Sequence, residues 1–245
     1  MNNSFVLVLA ALFFASLAGC MCMKQESAGR SGEHPADYHG NGGSIIKAGR
    51  SQSPINIETL NAEPVQALIP IRLDYHNPVI GVLGSGRPLK LVSAGTAILD
   101  GQRFDLQQLH FHSSSEHTVD GKHYPIELHF VNKAEDGQVA VVAVFLKSGK
   151  ENPTLEAMHK QSYKTAQVES GESVGLRALL PSDLSYYHND GSLTTPPFSE
   201  NVERYVMKSP VEVSRSQIEL FKYTYALNNR SIQPLNGRRV IVSIE

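Results

Sequence analysis

The stretch Gln107-Gln108-Leu109-His110-Phe111-His112 decides how this chain is read. On a β-strand, alternate side chains share a face. His110 and His112 therefore point one way and Phe111 the other, with Gln108 on the histidine side. Further along, Glu127-Leu128-His129 repeats the alternation, with Glu127 on the face of His129. Between the two lies Asp120-Gly121, a dipeptide that tolerates the positive φ of a tight turn, so residues 116–119 and 123–131 are expected to form a hairpin. If the strand after that turn lies beside the first, His129 completes a facial set of three. Three His and one open position is the ligand pattern of catalytic zinc. Each ligating ring also needs an acceptor for its second N–H, and Gln108 and Glu127 have the parity to serve His110 and His129.

Outward from this centre the chain reads as mostly strand. Short β-branched runs recur at 69–73, 89–92, 97–99 and 139–146. The last is nearly all apolar and is expected to be a central strand buried on both faces. One helix is expected from Asn152-Pro153, a cap followed by Pro in the first turn, to about residue 164. A second starts near Ser214 or Ser216 and carries Ile218, Phe221 and Tyr225 at helical spacing. No repeat and no break in composition divides this body. The expected class is mainly β (α+β): a single domain over 44–245 with short peripheral helices.

The 245 residues carry a net charge of -2 from 22 basic and 24 acidic side chains. That balance, with no basic cluster, argues against a nucleic-acid partner. The only cysteines are Cys20 and Cys22, so the body has no disulfide and no Cys-based zinc site. Trp is absent.

Residues 1–19 carry no charged side chain, and 5–18 is an apolar run broken only by Ser16. The run is short of the roughly 20 residues that span a bilayer and fits the apolar core of an export signal. It ends Leu17-Ala18-Gly19-Cys20, which resembles a bacterial lipobox. That resemblance implies cleavage before Cys20, lipidation of Cys20 and a stable membrane anchor. Residues 1–19 are thus read as a lipoprotein signal peptide and 20–43 as a lipid-anchored flexible tether. The expected location is the bacterial cell envelope, periplasm or outer membrane.

Taken in order, Gln52-Ser53-Pro54-Ile55-Asn56-Ile57, Gln108-Leu109-His110-Phe111-His112, Ser115-Glu116-His117, Glu127-Leu128-His129, Ser192-Leu193-Thr194-Thr195-Pro196-Pro197 and Gln233-Pro234-Leu235-Asn236 resemble the α-class carbonic anhydrases over about residues 46–245. The resemblance implies one large twisted, mostly antiparallel sheet with Zn2+ at the floor of a cleft. His110, His112 and His129 would bind the zinc, which lowers the pKa of its water to about 7. Hydroxide on the metal would attack carbon dioxide and give bicarbonate and a proton, reversibly. Thr194 would donate to Glu116 and orient that nucleophile. Gln108, Glu127 and the backbone near Asn228 would hold the outer nitrogens of His110, His129 and His112. Thr195 would contact bicarbonate or inhibitors, which in this family are anions and sulfonamides. Val131, Val141 and Leu193 match the apolar wall where carbon dioxide sits, or are ordinary core. His117 is taken as structural.

Three departures from the family pattern are visible. Arg87, near Lys90, occupies the place of a proton-shuttling His, and Arg does not deprotonate in proteins. His76 or His188 would have to substitute. Arg204 stands where the family has a Trp. Either it faces the zinc and makes an apolar wall cationic, or it turns to Glu203 or Asp183 and leaves a gap. Positions that the resemblance implies are disulfide-bonded in bacterial members read Ile46 and Phe198, so the N-terminal edge is expected to be mobile. The alternative function is a non-catalytic carbonic anhydrase-like surface binding module.

Overall fold

The computed structural model describes residues 37–39, 45–47, 49–66, 70–75, 79–83, 90–162, 175–225 and 228–244, with the backbone alone at 37–39, 45–47, 79–83, 90–93, 159–162 and 224–225. Cys20, the signal and most of the tether, His76 and Arg87 lie outside these residues. In chain order the first strands are β1 (Asp37–His39), β2 (Ile45–Lys47), β3 (Asn56–Ile57), β4 (Glu63–Gln66), β5 (Arg72–Asp74) and β6 (Val79–Leu83). Then come β7 (Lys90–Ser93), β8 (Thr96–Leu99), β9 (Gln102–His112), β10 (Thr118–Val119), β11 (Lys122–His123) and β12 (Ile126–Lys133). β13 (Val139–Ser148) precedes α1 (Pro153–Ser162), and β14 (Tyr186–Ser192), β15 (Glu200–Met207) and β16 (Val211–Val213) precede α2 (Arg215–Tyr225) and β17 (Ile241–Ile244).

Twelve of these strands form one sheet, ordered β4-β17-β14-β15-β13-β12-β9-β7-β6, with β16 on β13 and β8 on both β5 and β9. Its pairings are antiparallel except β4–β17, β13–β15 and β13–β16. This is the mainly β architecture expected, with short helices outside it. β1 and β2 pair in register, Tyr38 opposite Ile46.

β13 runs at the centre of the sheet and is buried from Ala140 to Leu146, on both faces. β12 lies beside it and β9 beside β12, and the two alternate over 109–112 and 126–130, with a register shift at Val131/Asn132. One face carries Leu109, Phe111, Leu128 and Phe130 into the main core, with Leu155 and Met158 of α1 and Ile218 and Phe221 of α2. The Phe111 and Phe221 rings meet edge to face at 5.0 Å. Both helices are capped as their sequences suggest. Asn152 Oδ1 accepts from the backbone N–H of Thr154 at 3.1 Å and Leu155 at 3.2 Å, and Ser214 Oγ accepts from Gln217 N at 3.2 Å.

Two turns aim the histidine strands. Asp100-Gly101 joins β8 to β9, and Asp120-Gly121 joins β10 to β11, all four residues having positive φ. The second hairpin is shorter than expected, because its return strand stops at His123 and β12 begins only at Ile126. Pro125 intervenes, with no N–H to give a ladder. β10 gains a partner on its other side, pairing in parallel with β3.

Candidate metal centre

In the β9–β12 register, His129 stands opposite His110 and Glu127 opposite His112. The period of two therefore gathers His110, His112, His129, Gln108 and Glu127 on one face, opposite the main core. The three rings lie 4.7–5.1 Å apart by centroid. One nitrogen of each lies within 4.8 Å of the others, as a shared metal ion requires.

The other nitrogen of each ring has an acceptor. His110 Nδ1 is 2.9 Å from Gln108 Oε1, His112 Nδ1 is 3.2 Å from the Asn228 carbonyl, and His129 Nε2 is 2.7 Å from Glu127 Oε1. Such contacts fix the tautomer and turn the remaining lone pair to the common centre. Asn228 also grips the end of β9 with its amide, donating to the Phe111 carbonyl and accepting from Ser113 N. His112 Nε2 is buried and has no hydrogen-bond partner among the described residues. A buried lone pair in that state fits a metal ligand. Three imidazoles with one open direction suit zinc.

Burial pushes His129 down to about 4, against the opposing pull of Glu127, which keeps the ring neutral as a ligand must be. Burial alone would raise the Glu127 carboxyl, yet His117 and His129 hold it well below the usual carboxylate range. His117 is a partner that strand parity did not suggest. Its Nδ1 lies 2.7 Å from Glu127 Oε1, and its backbone N–H donates to Oε2 at 2.8 Å. It sits in a bend before β10, where alternation does not apply.

Glu116 is 1% exposed, with Oε1 3.5 Å from His112 Nδ1 and Oε2 3.9 Å from His129 Nδ1. The backbone N–H of Arg230 donates to Oε1 at 3.0 Å. Oε2 has no hydrogen-bond partner among the described residues, so the expected bond from Thr194 is not formed. Thr194, Thr195 and Leu193 are half-buried in the loop after β14, closed by Leu193 N to Ser199 O and Phe198 N to Thr195 O, each 2.9 Å.

Val131 and Val141 are register partners on the histidine face. Arg204 pairs with Val141 on one side and Asn189 on the other, so it belongs to that face too. It is 1% exposed. Neither partner expected for it, Glu203 or Asp183, is used: Nε donates to the Ser192 carbonyl at 3.1 Å, and Nη2 donates to the same oxygen. Glu203 instead meets His188 Nε2 at 2.5 Å, and Asp183 takes Ser185 and Ser209. By the same register His188, opposite Tyr205, lies on the far face of the sheet, which removes it as a proton carrier for the histidine centre. Lys90 is the register partner of His110.

A polar latch ties the N-terminal segment to the Pro-Pro loop where the resemblance implied a disulfide. Glu200 Oε1 accepts from Ser51 N at 2.7 Å and Gln52 Nε2 at 2.8 Å, and Gln52 Nε2 also reaches the Phe198 carbonyl. Arg230 donates to Gln52 Oε1 and the Ser53 carbonyl and stacks over the Phe198 ring at 3.8 Å. Ser53 and Ser192 exchange backbone-to-hydroxyl bonds, and a Cβ on Gly191 would fall 2.2 Å from Ser53 Oγ, so a side chain there would displace Ser53 from this exchange.

Known proteins share this arrangement of sequence. The family described as eukaryotic-type carbonic anhydrase matches residues 35–244. A carbonic anhydrase of Pectobacterium atrosepticum is 38% identical over 97% of this chain and 98% of its own. One of Klebsiella pneumoniae is 44% identical over 79% of this chain and 80% of its own. The α-carbonic anhydrase of Thermovibrio ammonificans, solved with the inhibitor sulfanilamide, superposes with a TM-score of 0.73 at 42% identity, covering 79% of this chain and 87% of that one. With its sheet, its histidine face and these relatives in agreement, the chain belongs to the α-type, eukaryotic-type carbonic anhydrase family.

Proposed function

We propose that the chain hydrates carbon dioxide reversibly to bicarbonate with Zn2+ held by His110, His112 and His129. The observation that carries this reading is the convergence of three ring nitrogens within 4.8 Å while every outer nitrogen has its own acceptor. Zinc, when bound, is a Lewis acid that makes water a nucleophile near neutral pH. Glu127 holds the His129 ring, and His117 holds Glu127. Glu116 Oε2, buried without a hydrogen-bond partner among the described residues, is the acceptor we assign to the Thr194 hydroxyl when that loop closes on the nucleophile. With that proton given away, the Thr194 oxygen can only accept from the nucleophile, and it sets one orientation of attack. Val131, Val141 and Leu193 form the apolar contact for carbon dioxide, and Thr195 meets bicarbonate, anions or sulfonamides. The product proton leaves by way of external buffer, since Arg87 cannot carry it and His188 faces away. Export and anchoring at Cys20 place this chemistry in the cell envelope.

Stopped-flow hydration by the zinc-loaded protein, in a series of imidazole concentrations, tests the reading. Turnover that climbs with imidazole is expected. No hydration at any concentration, with zinc bound, would replace the enzyme by a carbonic anhydrase-like binding module.

A further inference from the structure

Arg204 is the largest fully buried side chain among the described residues. Its Nε and Nη2 both go to one oxygen, the Ser192 carbonyl. Its Nη1 is buried with no hydrogen-bond partner, and no carboxylate of the described residues forms an ion pair with it. A guanidinium has five N–H donors in a planar fork suited to oxyanions. Buried cations without a paired charge are costly, and buried donors in native proteins are nearly always satisfied. The two N–H groups of Nη1 therefore lack an acceptor that carries negative charge. The strand register places Arg204 on the face of His129, Glu127 and Val131. Burial works against its charge, and Glu116 and Glu127 oppose that effect without pairing with it.

We propose that Arg204 Nη1 is the second point of an anion subsite beside the metal, which takes a small monovalent planar oxyanion, bicarbonate above all. An anion held there satisfies the orphaned donors and neutralises the buried cation. The subsite favours the anionic side of the reaction: bicarbonate binds more tightly and leaves more slowly than from an apolar wall. The inference rests on the metal reading above.

The test uses the zinc-loaded full chain and nitrate, a planar monovalent oxyanion that does not react. Arg204→Met keeps the aliphatic stem and removes charge and donors. Nitrate affinity is read from the visible spectrum of the cobalt-substituted protein, and KM and kcat are read separately for bicarbonate dehydration. We expect nitrate to bind about ten-fold more weakly in the variant, and KM for bicarbonate to rise more than kcat changes. Equal nitrate affinity in two zinc-holding proteins overturns this inference alone and leaves a buried water as the partner of Nη1. A parent that holds no zinc overturns the metal reading and this inference with it. Should the variant not fold, nitrogen-15 NMR of the parent decides: a nitrate-dependent shift of the Arg204 Nη resonances supports the subsite, and its absence overturns it.

Discussion

On β9 and β12 each of three imidazoles has its outer nitrogen against an acceptor, whereas across the same site Glu116 Oε2 has no donor and Arg204 Nη1 no acceptor among the described residues. The ligand side is held by strand register and by acceptors that do not depend on what is bound. The facing side ends in a loop and a guanidinium whose polar groups still have capacity to spare. A metal needs fixed ligands, while substrate, product and nucleophile come and go. Completeness belongs where the ligand is permanent, and open valence where it turns over.

The largest expected break in this contrast is on the loop side. Thr194→Ala should lower carbon dioxide hydration about 100-fold while zinc content stays at one per chain, since orientation is lost and no ligand is touched. Equal turnover in mutant and parent would remove Thr194 from the reaction. On the ligand side the signature should invert. Glu127→Gln should weaken zinc retention about 10- to 100-fold in competition with a chelator, because two histidines lose the carboxylate that orients them. Unchanged retention would mean that register alone holds the rings. The smallest effect concerns the metal-free protein. Unfolded His129 takes up its proton near 6.5, while the folded ring resists it to about 4. The stability that His129 contributes is therefore full above about pH 6.5 and falls as pH drops toward 4. Denaturant midpoints should decline more between pH 7 and pH 5 in the parent than in His129→Gln, and parallel declines would locate the loss elsewhere.

The ligand side was legible in the sequence because period-two alternation is a local rule. Gln108, His110 and His112 could be placed on one face of a strand, and Glu127 and His129 on one face of another, before any strand order was known; the β9–β12 register joins the two sets. The facing side was not legible in that way. Arg230 meets Glu116 through its backbone N–H, and Arg204 meets a carbonyl twelve residues back, so neither partner is written in a side-chain pattern. His117 escaped for a related reason: it lies in a bend, where alternation carries no information. The Arg-for-Trp departure itself was visible, but its outcome depended on Ser192, not on the nearby carboxylates that attracted attention. The turn into β9 repeats the Asp-Gly chemistry of the turn after β10, and the same rule applied to Asp100-Gly101 would have located it.

The latch and the grip of Asn228 have a consequence for how the protein is made. His112 waits for a carbonyl 116 residues downstream, Glu116 for an N–H 114 residues downstream, and Gln52 for Arg238 at a separation of 186. Contacts of such span form late, because a long loop must close before they reward it. During synthesis the histidine strands emerge long before the segment that completes them. The nascent chain thus displays three imidazoles with one acceptor still missing until Asn228 has been added. On the proposed metal reading, zinc loading is then a step that follows synthesis of the segment carrying Asn228.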